Sequence, residues 1–361
     1  MSQCMTEYNN SEAHKVKSNS LGSVMESEIA EIPDVFENLL NSNEQFNQVA
    51  NLISKSNINN VIILARGTSD NAAYFLKFLI ETKLGMPVGL ASPSSVTIYN
   101  SKLHFDRTLV VAISQSGQST DLVEYAKSAR LGGATLVGMT NDAESPLAKL
   151  SDFHISLLAG PEYAVAATKS YAAQLLASIL LVRAWGVEFS GLDSLVADAR
   201  RTLSLSSGLL AAVEKFEISR DIIILGRGFS YPNAREMALK IQETSKVSVQ
   251  SFSIADFMHG PISALTKNSQ VIVLAHHGIS LDHLVSDIAK VRASSPDIYW
   301  LGSDQLALEN ETVISGANCS SEILSSICDA ILMQTFALEF ARKNKLNPDS
   351  PKGLEKITFT R

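Results

Sequence analysis

Two stretches about 160 residues apart open in nearly the same way. Asp221-Ile222-Ile223-Ile224-Leu225-Gly226-Arg227-Gly228-Phe229-Ser230 echoes Val61-Ile62-Ile63-Leu64-Ala65-Arg66-Gly67-Thr68-Ser69. The echo continues at similar spacing. Val271-Ile272-Val273-Leu274 stands where Leu109 to Ile113 stood, and Ile298-Tyr299-Trp300-Leu301 where Leu136 to Met139 stood. A period of this length means a duplicated domain. In the first copy, apolar runs at 61–65, 88–91, 109–113, 135–139 and 153–157 alternate with helical patterns. Strands apolar on both faces and separated by helices predict a parallel sheet covered on two sides. The expected fold class is therefore α/β, with two tandem domains, each a doubly wound parallel sheet flanked by helices. The 361 residues leave room for two such domains. The expected boundaries are a helical arm over 1–45, a first domain over 46–205, a second over 206–345 and a tail over 346–361.

In open parallel sheets, ligands lie beyond the carboxyl ends of the strands. After the run Leu109–Ile113 the first copy reads Ser114-Gln115-Ser116-Gly117-Gln118-Ser119-Thr120, and a helix opens at Asp121-Leu122-Val123. A helix starting there leaves its first N–H groups unpaired, with the positive end of the dipole behind them. Ser114, Ser116, Ser119 and Thr120 add hydroxyls at the same point. A phosphate-sized anion is the natural occupant, and a Ser-rich capping turn is the plainer alternative. The loop has no lysine and no G-x-x-x-x-G-K-[ST], so a nucleoside triphosphate is not expected. Uncharged donors suit a phosphate monoester on a small molecule. The crevice rule places Thr68 and Ser69 beside this loop. The second copy has Ala275-His276-His277-Gly278-Ile279-Ser280 at the matching point, so only the first copy is expected to hold the phosphate.

Bulk properties exclude several classes. The formal net charge of -7, without a block of Lys and Arg, argues against a nucleic-acid partner. The first 30 residues lack an apolar signal core and no 18-residue apolar run occurs, so no membrane association and a cytoplasmic location are expected. The three cysteines, Cys4, Cys319 and Cys328, form no C-x-x-C pair, so neither a disulfide framework nor a metal site is expected.

Three places in the second half carry reactive groups. Glu236, Lys240 and Glu243 are spaced to share one helix face, where a solvated ion pair is the plainer reading. His259 precedes Gly260-Pro261, which stops a helix and leaves the imidazole at an end. The C-terminal stretch Asn347-Pro348-Asp349-Ser350-Pro351-Lys352-Gly353 precedes Lys356, which pattern reasoning alone ranks low.

The combination resembles a known family. The serine loop, Gly67-Thr68-Ser69, Glu162-x-x-Val165-Ala166-Ala167-Thr168-Lys169, Gly226-Arg227-Gly228, Lys240-x-x-Glu243, His259-Gly260-Pro261 and the Leu354–Lys356 tail look like the isomerase half of glucosamine-6-phosphate synthases, built of two sugar isomerase (SIS) domains. The order is kept over about residues 25 to 361. The resemblance implies that Ser69, Ser114, Gln115, Ser116 and Ser119 hold a sugar phosphate, with Thr68 beside them. It implies that Val165 and Ala166 offer backbone groups to the sugar hydroxyls, and it brings Glu236 into the substrate site. Glu243 would move a proton between C1 and C2, helped by Lys240. His259 would open the ring, reaching in from a neighbouring subunit, which implies a homodimer. Lys356 would approach the carbonyl carbon. No cofactor and no metal are implied. Gln118-Ser119 stands where Glu-Thr is usual and Ala167 where Ser is usual, so one hydroxyl contact is expected to be missing.

Those synthases begin with a glutaminase domain whose nucleophile is a cysteine after the initiator Met. Here Ser2 holds that position and Cys4 lacks the following glycine-rich strand. The resemblance then implies the reverse direction, a deaminase releasing fructose 6-phosphate and ammonia from glucosamine 6-phosphate. A fructosamine-6-phosphate deglycase is the alternative within the same fold. A non-catalytic sugar-phosphate sensor is disfavoured by retention of Glu243, His259 and Lys356.

Overall fold

Alternate residues of each central strand go to different cores. The computed structural model describes residues 20–356, so the expectations attached to Ser2, Cys4 and the first stretch concern residues outside that range. The first sheet contains β1 (Asn60–Leu64), β2 (Val88–Leu90), β3 (Thr108–Ser114), β4 (Thr135–Thr140) and β5 (Phe153–Ser156), all parallel in the order β2-β1-β3-β4-β5. The second contains β6 (Asp221–Gly226), β7 (Val249–Ser253), β8 (Ser269–Ala275), β9 (Asp297–Gly302) and β10 (Thr312–Ser315), in the order β7-β6-β8-β9-β10. The two orders are the same, so the duplication seen in the residues is a duplication of topology. Winding direction reverses between β1 and β3, and again between β6 and β8, which opens a crevice at each carboxyl end.

Val61, Ile63, Leu109, Val111 and Ile113 point into one large core, which they share with Ile222, Ile224, Ile272 and Leu274 of the second sheet. Leu64, Val110, Ala112 and Leu136 point the other way, against Leu122, Tyr125 and Ala126 of helix Thr120–Leu131. Ile223, Leu225, Val271, Val273 and Trp300 do the same on the outer face of the second sheet. A strand buried on both faces has no polar side, which is why the sequence shows unbroken apolar runs. Each such Val, Leu or Ile contributes about 1.5–3 kcal/mol when fully buried.

The shared layer between the sheets holds helices Lys169–Ala184 and Glu322–Lys343. The second is long and apolar enough to cross a membrane, yet 89% of its most apolar window is buried inside the protein. A helix enclosed between two sheets must be apolar nearly all round. Helices Ser23–Ala30, Ile32–Leu40 and Asn43–Lys55 join the same layer through Met25, Phe36, Leu39 and Phe46. Of the expected arm over 1–45, the described part from Ser20 on is helical and belongs to the core.

β7 and β10 were not foreseen. Both are edge strands of four or five half-buried residues, so neither leaves a continuous apolar signature.

Candidate functional site

A cavity of about 390 Å³ opens beyond the carboxyl ends of β1 and β3. Five separate parts of the chain meet there: the loops after β1 and β3, the segment around Val165, helix Tyr231–Ser245 and the tail. Its volume falls within the range of small-molecule sites. A larger depression of about 630 Å³ lies at the amino ends of β9 and β10, where Arg220 pairs with Asp297 and Arg292 with Glu311.

The first wall is the serine loop. Ser114, Gln115, Ser116 and Ser119 all line the cavity, with Thr68 and Ser69 beside them. Ser114 Oγ accepts the Gly117 N–H at 3.0 Å, and Ser116 Oγ accepts that of Gln118 at 3.3 Å. Gly117 turns the loop with φ +62°, and a Cβ there would lie 2.2 Å from Ser145 Oγ, so only glycine fits. Ser119 occupies the N-cap of helix Thr120–Leu131 without a capping bond from its side chain.

One feature departs from a purely uncharged grip. Arg66 lines the cavity, and its Nε donates to Asp121 Oδ2 at 2.9 Å in the first turn of that helix. Asp121 is 1% exposed. Its carboxylate under the serine loop would oppose a bound anion, and Arg66 offsets it. Arg66 escaped notice because it lies in the loop after β1, apart in sequence from the serines.

The opposite wall carries the acid–base groups. Glu243 and Lys240 both face the cavity and bond to one another. Lys240 is 1% and Glu236 0% exposed, with Lys240 Nζ 3.5 Å from Glu236 Oε1. The plainer reading of a solvated helix pair is therefore overturned: the face looks into the protein. Burial pushes Glu236 up to about 7, against the pull of the Lys240 charge. Burial alone would lower Lys240, but Glu236 and Glu243 outweigh it and raise it. Glu236 itself is not in the cavity wall. It stands behind Thr68 and Asn71, accepting from Thr68 Oγ1 at 3.1 Å and Asn71 Nδ2 at 2.7 Å. The placement of Glu236 among substrate contacts is thus corrected, because helix Thr68–Leu79 intervenes.

Lys356 is not a frayed side chain. Its Nζ donates to Glu162 Oε2 at 2.9 Å and to the Ala164 carbonyl at 2.6 Å. Glu162 also accepts from Thr168 N, Ser170 N and Ser170 Oγ. Burial would raise that carboxyl, but the Lys356 charge and these donors hold it below the usual range. Val165 reaches the cavity, whereas Ala166 is fully buried. Ala167 lines the wall beside Val165, where the chain bends at residues 164–166.

His259, like Glu236 and Ala166, is not in the cavity wall, and it lies on the surface. It is exposed in the turn after helix Ile254–Phe257. In the second copy, the position matching the serine loop is filled by protein: Ser280 donates through N and Oγ to Glu322 Oε2, at 3.3 and 2.8 Å. A carboxylate already lies where an anion would sit.

Comparison with known proteins agrees with this arrangement. The SIS domain profile matches residues 52–184 and 215–341. Glutamine–fructose-6-phosphate aminotransferase [isomerizing] of Pyrococcus horikoshii is 29% identical over 338 residues, covering 91% of this chain and 56% of its own. The chain thus spans about half the length of the curated relatives it matches. A protein of Silicibacter pomeroyi described as a candidate phosphosugar isomerase superposes with a TM-score of 0.81 at 29% identity, covering 90% of this chain and 99% of that one. The C-terminal domain of glucosamine-fructose-6-phosphate aminotransferase from Francisella tularensis shares the fold, with a TM-score of 0.82 at 24% identity, covering 94% and 100%. Two matched segments, two sheets of one topology and a serine loop in the first crevice place this chain in the SIS domain family, homologous to the isomerase half of glutamine–fructose-6-phosphate aminotransferase.

Proposed function

We propose that this chain is a glucosamine-6-phosphate deaminase, forming fructose 6-phosphate and ammonia. One observation carries the reading: the serine loop, the Lys240–Glu243 pair and Lys356 border one cavity although they lie far apart in sequence. The serine loop takes the phosphate, while Glu243 removes the C2 proton of the open-chain aldehyde and returns one to C1. The enamine becomes a C2 imine, and water adds to that carbon and expels ammonia. Lys356, paired with Glu162 at 2.9 Å, stands at the carbonyl end. The test is incubation with glucosamine 6-phosphate, galactosamine 6-phosphate and a fructosamine 6-phosphate, with ammonia and ketose phosphate measured. Failure to release ammonia from either amino sugar overturns the reading.

A second reading, deglycation of a fructosamine 6-phosphate, has one observation in its favour. A neighbouring cavity of about 350 Å³ shares Arg66 and Gly67 with the first, leaving room for a larger amine. Release of amino acid from the third substrate, without ammonia from the others, selects it.

In this reading Arg66 offsets the Asp121 charge beneath the phosphate. Arg66→Ala is expected to raise KM about 10–100-fold, the span of a charged hydrogen bond, with kcat little changed. Adding Asp121→Asn is expected to recover most of that loss. Steady-state kinetics of the single and double variants against wild type check both.

His259 is assigned to the site of a second copy in a homodimer. Glu243→Gln and His259→Ala chains are each expected to be inactive. Unfolded and refolded together, they are expected to recover about a quarter of wild-type activity, because half of random dimers carry one intact site. No recovery in a demonstrated mixed dimer places His259 in its own chain's site, or in none.

A further inference from the structure

Glu28 is a buried carboxylate that the proposed chemistry leaves unused. It lies on helix Ser23–Ala30 and is 2% exposed. Its Oε1 accepts the backbone N–H of Tyr163 and, at 3.2 Å, that of Ala164. Its Oε2 is buried without a hydrogen-bond partner among the described residues.

The peptide it holds is the wall on which Lys356 rests. The Ala164 carbonyl and the Glu162 carboxylate are the two acceptors of the Lys356 ammonium. Val165, next along, lines the cavity and donates its N–H to the Asp349 carbonyl at 3.2 Å. The Asp349 carboxylate accepts from the N–H groups of Val24 and Met25, at 3.2 and 2.8 Å, at the start of the helix bearing Glu28. The contacts close a ring from helix to wall segment to tail and back to the helix. A buried carboxyl with one orphan oxygen is costly, and the core around it is otherwise built of apolar side chains such as Met25, Ile29 and Ile32.

We propose that Glu28 is a positioning residue that fixes Lys356 at the cavity wall through the Tyr163–Ala164 peptide. The proposal rests on the reading of Lys356 as a group acting on substrate. Charge supports the geometry. Burial raises the Glu28 carboxyl to about 7; the Tyr163 N–H lowers it, Glu162 raises it, and the Ala164 N–H and Lys356 lower it. Glu162 and Lys356 are the charged groups that act on it, while Glu31 and Lys169 pair with each other nearby. Below about pH 7 Glu28 is neutral, and Lys356 faces one carboxylate. Above it, a second carboxylate joins Glu162 beside Lys356, and the added negative charge acts on the side chains at the cavity wall. The kcat profile is therefore expected to bend near pH 7.

The experiment compares the full chain with its Glu28→Ala, Glu28→Gln and Lys356→Ala variants. It measures kcat and KM on glucosamine 6-phosphate from pH 5.5 to 8.5, with inorganic phosphate binding as a probe of the far end. Glu28→Ala is expected to lose about 10–100-fold in kcat, the scale of a small misplacement, with phosphate affinity unchanged. Glu28→Gln is expected to recover most of the rate, because its amide oxygen accepts both N–H groups, and to lose the part of the bend near pH 7 that Glu28 supplies, leaving that of Glu236. If Glu28→Ala does not fold, Glu28→Asp decides: its shorter carboxylate draws the Tyr163–Ala164 peptide away, and kcat is expected to fall with phosphate affinity unchanged. Wild-type kcat in the variant that folds, or an equal loss of phosphate affinity, overturns the proposal. Normal turnover by Lys356→Ala instead overturns the reading of the site.

Discussion

Glu243→Gln is expected to lower kcat by about 10²–10⁴-fold, the usual contribution of one positioned proton-transfer group, while fructose 6-phosphate binds nearly as before. The amide keeps the shape and still accepts from Lys240, but it cannot take the C2 proton. Glu243 is the only member of the buried trio with substantial exposure: its side chain is 23% accessible, against 1% for Lys240 and 0% for Glu236. That is the arrangement a base requires, since it must touch substrate while its partner orients it. Lys240 neutralises Glu236 behind it and orients Glu243 in front. Measured kcat and product affinity separate the outcomes. Unchanged turnover removes Glu243 from the chemistry, and lost binding makes it a contact instead.

Lys240→Met is expected to cost about 3–5 kcal/mol of folding stability at pH 8, because removing one partner leaves a buried charge uncompensated. The sign of the pH dependence follows from Glu236. Its folded pKa of about 7 lies above the ordinary carboxyl value of 4.5. The folded protein therefore keeps this proton longer, and the group favours folding most below about pH 4.5. That contribution is lost as pH rises toward 7. Without Lys240 the carboxyl is pushed higher still, so the loss in the variant is expected to be smaller at pH 5.5 than at pH 8. Glu236→Gln in the same chain is expected to restore much of the stability, with Thr68 Oγ1 still able to donate to the amide oxygen. Urea unfolding at the two pH values reads all of this. Equal midpoints for wild type and Lys240→Met at pH 8 would contradict a buried ion pair.

Much of this was written in the order of residues. The runs at Val61, Leu109, Val271 and Ile298 had to be interior strands, since no half-exposed strand tolerates that much apolar surface. Their recurrence set the two-sheet architecture. Ser114 to Ser119 before a helix start pointed to a loop of hydroxyl and backbone donors, and that loop lines the cavity beyond β3. The edge strands β7 and β10 left no trace, for Gln250, Ser251 and Ser253 interrupt the first and the second has only Val313 and Ile314 between Thr312 and Ser315.

What lies between the sheets was decided only by packing. Glu236, Lys240 and Glu243 at helical spacing look the same on a wet surface and in a buried layer. Packing of their helix between Thr68–Leu79 and Glu322–Lys343 encloses Glu236 and Lys240 and leaves Glu243 at the cavity. Lys356 reads as a loose tail residue until Glu162 and the Ala164 carbonyl, almost 200 residues earlier, claim its ammonium. Arg66 and Glu28 became legible in the same way, through partners distant in sequence. Local order determines strands, turns and helix ends because those interactions act within a few residues. The environment of a charge depends on which surfaces close over it, and only the folded chain sets that.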